Sequence, residues 1–455
     1  MATFVGLVPV AVTHAGHMTT SPHAASPSAT PNSASTPPHL AIVLFSLAMG
    51  GFAIGTTEFA SMSLLPFFAA DLHIDEPTAG HAISAYALGV VLGAPLIAVL
   101  GAKFARRTQL LALMAVFALG NALTALAPGF GAMIAARFLS GLPHGAYFGI
   151  AALVAASLVP QDRRSRVVGQ VMLGLTIATI IGVPLANLIG QRVGWRASFG
   201  LVSVLALLTM LLCALFAPRD QAGRSDPLRE LGALKSRRVW TTLAISAIGF
   251  GGMFAVYTYL ATTLIEVTKV STEVIPFFLA IFGIGATLGN LFVPRFADRA
   301  LMPTAGGILV FATLALLAFP LVAGNPWLLA IDIFAIGASV ALGAVLQTRL
   351  MDVAGDAQAL AAALNHSAFN TANALGPFLG GLAIRQGWGW TSTGPVGAAL
   401  AVLGFLIWIV AYRDTGPAPV EQAAGSDAAP REAAPLKRAP PLAPIERSRS
   451  EDPVA

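Results

Sequence analysis

The chain has 455 residues, of which 56% are hydrophobic and only 10% charged, with a mean hydropathy of +0.77. Soluble domains carry about 25% charged residues, so this composition excludes one and describes an integral membrane protein. A net charge of +5 and a pI near 9.7 would point to nucleic acid in a soluble protein; here the basic residues cluster in short loops between apolar runs, which is membrane topology.

The opening MATFVGLVPVAVTHAG has a short apolar run but no basic residue before it, so it does not read as a secretory signal. Met18 is a plausible alternative start. Residues 1–39 hold no Lys, Arg, Asp or Glu, and Pro, Ser, Thr and Ala dominate from Thr19 to Pro38, so this arm is expected to be disordered. The first long apolar run, Leu40 to Phe68, exceeds the roughly 20 residues needed to cross the hydrocarbon. It contains one carboxylate, Glu58, and no Lys or Arg precedes Lys103. An acid at membrane depth costs about 3 kcal/mol or more and therefore faces a cavity or a partner. Glu58 is read as the carrier of a coupling proton.

Twelve runs of spanning length follow in order, at about 40–62, 78–100, 108–127, 130–158, 166–189, 197–217, 239–262, 274–295, 304–323, 327–349, 357–384 and 395–412. The short alternating pattern of a membrane β-barrel is absent, so a twelve-helix, all-α bundle is expected. With the N-terminus inside, 21 of the 26 Lys and Arg fall in cytoplasmic segments and only Arg192, Arg196, Lys269 and Arg385 outside; both termini are placed in the cytoplasm. The lone cysteine, Cys213, sits in an apolar run and excludes an intrachain disulfide.

The longest connection between spans, 218–238, divides the chain into two halves of six spans, 40–217 and 239–413, and 414–455 reads as a disordered tail. Span five, ATIIGVPLANLIG from Ala178, returns as ANALGPFLGG from Ala372, about 194 positions later, and GAKFARR at Gly101 returns as RFADRA at Arg295. Two pseudo-symmetric six-helix halves about a central site are the mark of alternating-access transporters. No G-x-x-x-x-G-K-[ST], H-E-x-x-H or G-x-S-x-G occurs, so no enzyme is expected, and work is expected to draw on an ion or substrate gradient.

Span four, AARFLSGLPHGAYFG from Ala135, places Arg137, Gly141 and Gly145 on one helical face with Ser140 and His144 beside them. A lone Arg in a span needs a counter-charge, and Glu58 is the candidate, directly or through a polar chain. The alternative is that the two only fix the packing. Span eleven places His366, Asn370, Asn373 and Pro377 on one face, either to hydrogen-bond a substrate or to join helices. Tyr257 and Tyr259 are candidates for aromatic contact with a substrate, or for interfacial anchors. His81 and His144 read as packed and neutral, although histidine titrates near neutral pH. Asp332, opening span ten, reads as a solvated or capping residue.

R-F-L-S-G-L-P-H-G from Arg137 resembles the fourth-span motif of the major facilitator superfamily. Ala178-x-x-x-Gly182-Val183-Pro184 with Gly190 resembles the fifth-span motif of its twelve-span drug/proton antiporters, and G-T-T-E-F at Gly55 the first span of arabinose-efflux and chloramphenicol-resistance permeases. The resemblance covers about residues 40–413. It implies the major facilitator fold and export of a small molecule, such as a phenicol, in exchange for protons, with Glu58 and Arg137 as the coupling pair. Sugar or nucleoside efflux and proton symport remain alternatives, and a non-transporting membrane sensor or scaffold is the alternative of another class.

The expected partners are a small-molecule substrate, protons and the bilayer of the cell (inner) membrane, with no nucleic acid and no cofactor beyond the proton gradient; the chain is taken as a monomer. Two departures stand out. The loop after span two has Ala98, Ala102, Lys103, Ala105, Arg106 and Arg107 where the family has Gly-x-x-x-Asp-Arg-x-Gly-Arg-Arg, so its Asp is missing, whereas Asp298 and Arg299 keep the pair in the second half. An Asp there pairs with Arg and helix N-termini to lock the cytoplasmic side, so Asp298 is expected to matter more than its counterpart. In span five one extra residue separates Gly182 from Pro184, whereas Gly376 and Pro377 are adjacent in span eleven; the kink and close packing of both are expected to survive.

Overall fold

The computed structural model describes residues 40–101, 103–160, 163–219, 235–354 and 358–414. The expected disordered arm and tail, most of the connection between the halves, and Ala102 of the first-half loop lie outside the described residues. Every regular element among these residues is helical. In chain order the long helices are α1 Leu40–Ser63, α2 Glu76–Ile97, α3 Arg106–Ala125, α4 Phe130–Ser157, α5 Arg166–Arg192, α6 Trp195–Phe216, α7 Arg237–Thr258, α8 Thr272–Ala297, α9 Leu301–Val322, α10 Pro326–Ala354, α11 Gln358–Arg385 and α12 Trp390–Arg413.

Eleven of these are long and apolar enough to cross a membrane. The other, α11, has 28 residues but is more polar, because it carries the stripe that includes His366, Asn370 and Asn373. That polarity is tolerable because α11 packs against α2 and α7 rather than standing in lipid, where a polar group is costly. Side chains that do face outward are apolar: Leu88, Leu92, Leu96 and Leu100 of α2 and its extension form an exposed stripe at four-residue spacing.

The packing repeats at a six-helix offset. In the first half α1 packs on α5 and α6, α4 on α2 and α3, and α3 on α6; in the second, α7 packs on α11 and α12, α10 on α8 and α9, and α9 on α12. The halves meet along two seams, α2 with α11 and α5 with α8, which the same offset interchanges. Close approach is made by glycine: a Cβ on Gly141 would strike the Tyr86 carbonyl, and one on Gly337 the Phe282 carbonyl, so equivalent α2–α4 and α8–α10 crossings have equivalent small residues.

Local breaks follow the sequence. The α4 helix is interrupted at Leu142 and Pro143 between Phe130–Gly141 and His144–Ser157, because proline withholds a backbone donor. The seventh run, expected to continue to 262, turns at Tyr259 and resumes as Leu260–Glu266. The capping role expected of Asp332 falls to Asn325, whose side chain accepts from the amides of Trp327 and Leu328. Asp332 is instead buried about two turns deeper, with Oδ2 lacking a hydrogen-bond partner among the described residues.

The extra residue of span five has a structural counterpart: Ala178–Gly182 form a π turn, and the α-helix resumes at Val183 with Pro184 in its first turn. A π turn is a one-residue insertion absorbed within a helix, and here it sets Pro184, which has no amide hydrogen to donate, just past the point where the helical ladder has already shifted. The α11 helix, with Gly376 and Pro377 adjacent, runs through without such a turn. Deleting Val183 is therefore expected to convert the π turn to α-helix, keep register on both sides and leave folded, monodisperse protein by size exclusion. Deleting Leu205 from the uninterrupted α6 is expected to leave none, since all following side chains rotate by about 100°.

Opposite the basic loops, the Asp71 carboxylate accepts from Arg196 and from Trp195 Nε1 at 3.0 Å. These hydrogen bonds, the Arg196 one foremost, hold the Asp71 carboxyl below the usual carboxylate range. The clasp is therefore expected to stabilise the protein above about pH 4, where an unfolded Asp is ionised, and to be lost as pH falls through the lowered value. Both groups are half exposed, so Asp71→Asn is expected to cost at most about 1 kcal/mol at pH 7. That difference should vanish in melting curves taken in strong acid.

Candidate functional site

Glu58 and Arg137 are both buried, at 7% and 0% exposure, but they form no ion pair. Arg137 Nη1 donates to Thr57 Oγ1 at 3.1 Å and Nη2 to Ser61 Oγ at 3.2 Å. Its guanidinium lies over the Tyr86 ring at 4.3 Å and near Phe199 at 5.3 Å, and Nε has no partner. The expected polar chain exists but ends on the backbone: Ser61 Oγ donates to the Glu58 carbonyl at 2.8 Å. Thr57 passes its own hydrogen to Asn121 Oδ1 at 2.7 Å. Arg137 thus grips the face of α1 one residue before and three after Glu58, which is one side of a helix.

The Glu58 carboxylate points the other way, across the boundary between halves. Its Oε1 accepts from Asn373 Nδ2 of α11 at 3.0 Å. Asn373 Nδ2 also approaches Asn370 Oδ1 at 3.4 Å, and Asn370 Nδ2 donates to the His366 carbonyl at 3.1 Å. The expected stripe on α11 is therefore one connected strip, and Asn373 brings it to the acid of α1. Asn373 Oδ1 is buried and has no partner among the described residues.

His366 lies against the first half: its ring stacks on Phe148 at 5.4 Å and meets His144 edge-on at 5.8 Å. His144 Nδ1 is 2.9 Å from the Tyr86 hydroxyl, so the packed histidine read from the sequence is found, with Tyr86 as its partner. His81 lies near Phe378. Tyr257 is fully buried, packed on Phe59 at 5.5 Å and Phe282 at 4.3 Å, with its hydroxyl unpartnered. Tyr259 lies apart from this group: its hydroxyl donates to the Pro377 carbonyl at 2.9 Å.

Four further hydrogen bonds join the halves. Thr262 donates to Glu76, Gln191 Nε2 to the Thr272 carbonyl at 2.8 Å, Ser84 to the Ala374 carbonyl at 3.1 Å, and Ser367 to the Val91 carbonyl at 3.2 Å. The first two lie at the end opposite the basic loops. At the basic end, Arg107 donates to the Ala214 carbonyl within its own half, and Arg106 opens α3. Asp298 and Arg299 are exposed; Asp298 lines a hollow with Asp352, Thr348 and Leu301 and has no hydrogen bond or ion pair from its carboxylate among the described residues. Gly182 packs against Thr56 and Phe52 of α1, and Gly376 against the Gly251 backbone of α7.

Sequence reasoning missed Tyr86, Thr57, Ser61 and Asn121. Thr57 and Ser61 had a signal, since hydroxyls flank the only acid of α1 on the face that an Arg needs. No periodicity pointed Tyr86 or Asn121 toward that Arg.

Two six-helix halves with a buried carboxylate held between them define a membrane transporter rather than an enzyme. The chain belongs to the Major Facilitator Superfamily, whose family model matches residues 47–357. Over 372 residues it is 39% identical to the "Inner membrane transport protein YdhP" of Escherichia coli (strain K12), covering 81% of this chain and 96% of that protein. It is 34% identical over 345 residues to a "Chloramphenicol resistance protein" of Streptomyces lividans, covering 74% and 87%. In fold it is similar to a solved bacterial homolog of the human lysosomal transporter Spinster in an inward-facing, unoccupied conformation, with a TM-score of 0.65 and 16% identity over 84% of this chain and 100% of that one.

Proposed function

We propose that this transporter exports a small amphipathic, drug-like compound across the inner membrane in exchange for protons, with Glu58 as the proton carrier. The observation that carries this reading is the placement of Glu58: it is the only acid of α1, buried, and bonded across the boundary between halves to Asn373. A group there senses any separation of the halves, as alternating access requires. Arg137 sits near enough to act on Glu58 electrostatically, yet is held by hydroxyls, so the carboxylate remains available to a proton or a cationic group.

With both termini in the cytoplasm, as the Lys and Arg bias supports, the Glu76–Thr262 and Gln191–Thr272 bonds close the outer side. Asp298, which lines the hollow at the basic end and has no partner among the described residues, would then take up the lock when the cytoplasmic side closes. The free hydroxyl of Tyr257 and the His366–Asn370 strip supply substrate contacts once the halves part. The named relative that confers chloramphenicol resistance favours a phenicol.

The test uses purified protein in liposomes with an internal pH dye, an imposed proton gradient, and a panel of phenicols, cationic dyes, pentoses and nucleosides. Proton movement that depends on a phenicol or dye supports the proposal. Tracer flux of a sugar or nucleoside with no proton signal replaces it by facilitated sugar or nucleoside transport.

A further inference from the structure

The amide of Asn373 poses a question that its position on a polar stripe does not answer. It is fully buried, its Nδ2 donates to the Glu58 carboxylate at 3.0 Å, and its Oδ1 has no partner. A buried carbonyl oxygen without a hydrogen bond is unfavourable, and such a group in a native structure calls for an explanation. An amide carries a donor and an acceptor on one rotatable group, whereas a carboxylate only accepts and a carboxylic acid also donates.

We infer that Asn373 is the positioning residue that reads the charge on Glu58, donating through Nδ2 when the carboxylate is ionised and, after a rotation of the amide, accepting through Oδ1 when the carboxyl is protonated. The unpartnered Oδ1 is then the acceptor reserved for the other protonation state. Both states keep a bond between α1 and α11, so loading or unloading the proton does not by itself break this contact. The inference rests on Glu58 being the proton carrier.

The surroundings leave this task to Asn373. Arg137 and His144 of α4 and Tyr86 of α2 are the titratable groups of the first half around the site, and their hydrogen bonds go elsewhere: Arg137 to Thr57 and Ser61, Tyr86 and His144 to each other. From the second half, α7 brings Tyr257, packed on Phe59, and α11 brings His366, stacked on Phe148. The α5 and α6 helices carry charges only near their ends. None of these groups hydrogen-bonds the Glu58 carboxyl.

Asn370 assists by accepting weakly from the same Nδ2, which orients the amide for the ionised state. Asn373 also sits four residues before Pro377, so its own backbone carbonyl lacks a helical donor. The helix is therefore locally less constrained where the amide has to turn.

The test is an infrared titration of the full chain reconstituted in lipid, with pH as the only probe and E58Q as the reference for the Glu58 carboxyl band. N373L loses both bonds, but the one to the ionised carboxylate is charge-assisted and the stronger of the two, so the pH at which that band is half lost is expected to rise by about one unit. N373D places a second carboxyl against Glu58 and is expected to raise it further, with the pair sharing one proton. N373Q should restore part of the N373L shift. An unmoved midpoint in folded N373L and N373D overturns the inference and leaves Asn373 as a packing or substrate contact. Absence of any titrating band that E58Q removes overturns the reading of Glu58 itself.

Discussion

Substrate-driven proton movement is expected to fall to the liposome background in Glu58→Gln, with expression and melting temperature close to wild type. Gln has nearly the volume of Glu and retains an oxygen that accepts from Asn373 Nδ2, so the bond between halves survives. What is lost is the charge change. A carrier that must exchange a proton for its substrate then has nothing to load, and only downhill, pH-independent exchange remains. The measurement is the internal pH dye signal on adding substrate, alongside a melting curve in detergent. Normal proton-coupled export by this variant would remove Glu58 from the mechanism and leave it as a packing residue.

The second large effect is expected at Arg137. Arg137→Met keeps much of the side-chain length but loses the donors to Thr57 and Ser61 and the stacking on Tyr86. Hydrogen bonds from a charged group contribute about 1.5–3 kcal/mol each, and a desolvated cation–π contact about 2 kcal/mol. Release from burying a cation offsets part of this, so a net loss of about 3 kcal/mol is expected, read as a lowered melting temperature and yield.

Arg137→Lys should recover little of it, because one ammonium cannot reproduce the two-pronged grip on α1. Combining Arg137→Met with Glu58→Gln separates the roles. If the Arg acts only by holding α1, the two losses add; if it acts as the counter-charge of Glu58, they do not. A single Arg137→Met variant as stable as wild type would contradict the structural role.

The overall architecture is legible in the sequence. Apolar runs longer than the hydrocarbon must be helices, since nothing else satisfies its backbone in lipid. The α11 helix is instructive, because its stripe lowers the hydropathy that marks the other spans, yet its length and the echo of span five still placed it. The extra residue between Gly182 and Pro184 was visible as a spacing anomaly, but its absorption in a π turn at Ala178–Gly182 was not. An inserted residue can be taken up by a kink, a loop or a widened turn, and neighbouring helices decide which.

The site was legible by helix and not by contact. Helical periodicity puts His366, Asn370 and Asn373 on one face of α11, and puts Thr57, Glu58 and Ser61 within one turn of α1. It cannot say which face of which helix meets which neighbour. The expectation that Glu58 and Arg137 are linked was right about the helices and incomplete about the atoms, since Arg137 holds the hydroxyls beside Glu58 while the carboxylate turns to Asn373, 315 residues away. Tyr259, read alongside Tyr257, instead closes on the Pro377 carbonyl.

By itself the sequence determined that the chain lives in a bilayer as two similar bundles of helices, because hydrophobic length and backbone satisfaction act locally along the chain. Only the tertiary structure decided that the one acid of α1 is shared between the halves and that its nearest cation is held to one side. Those pairings depend on the rotation of each helix about its axis, which is fixed by glycine-scale close packing against helices remote in the sequence.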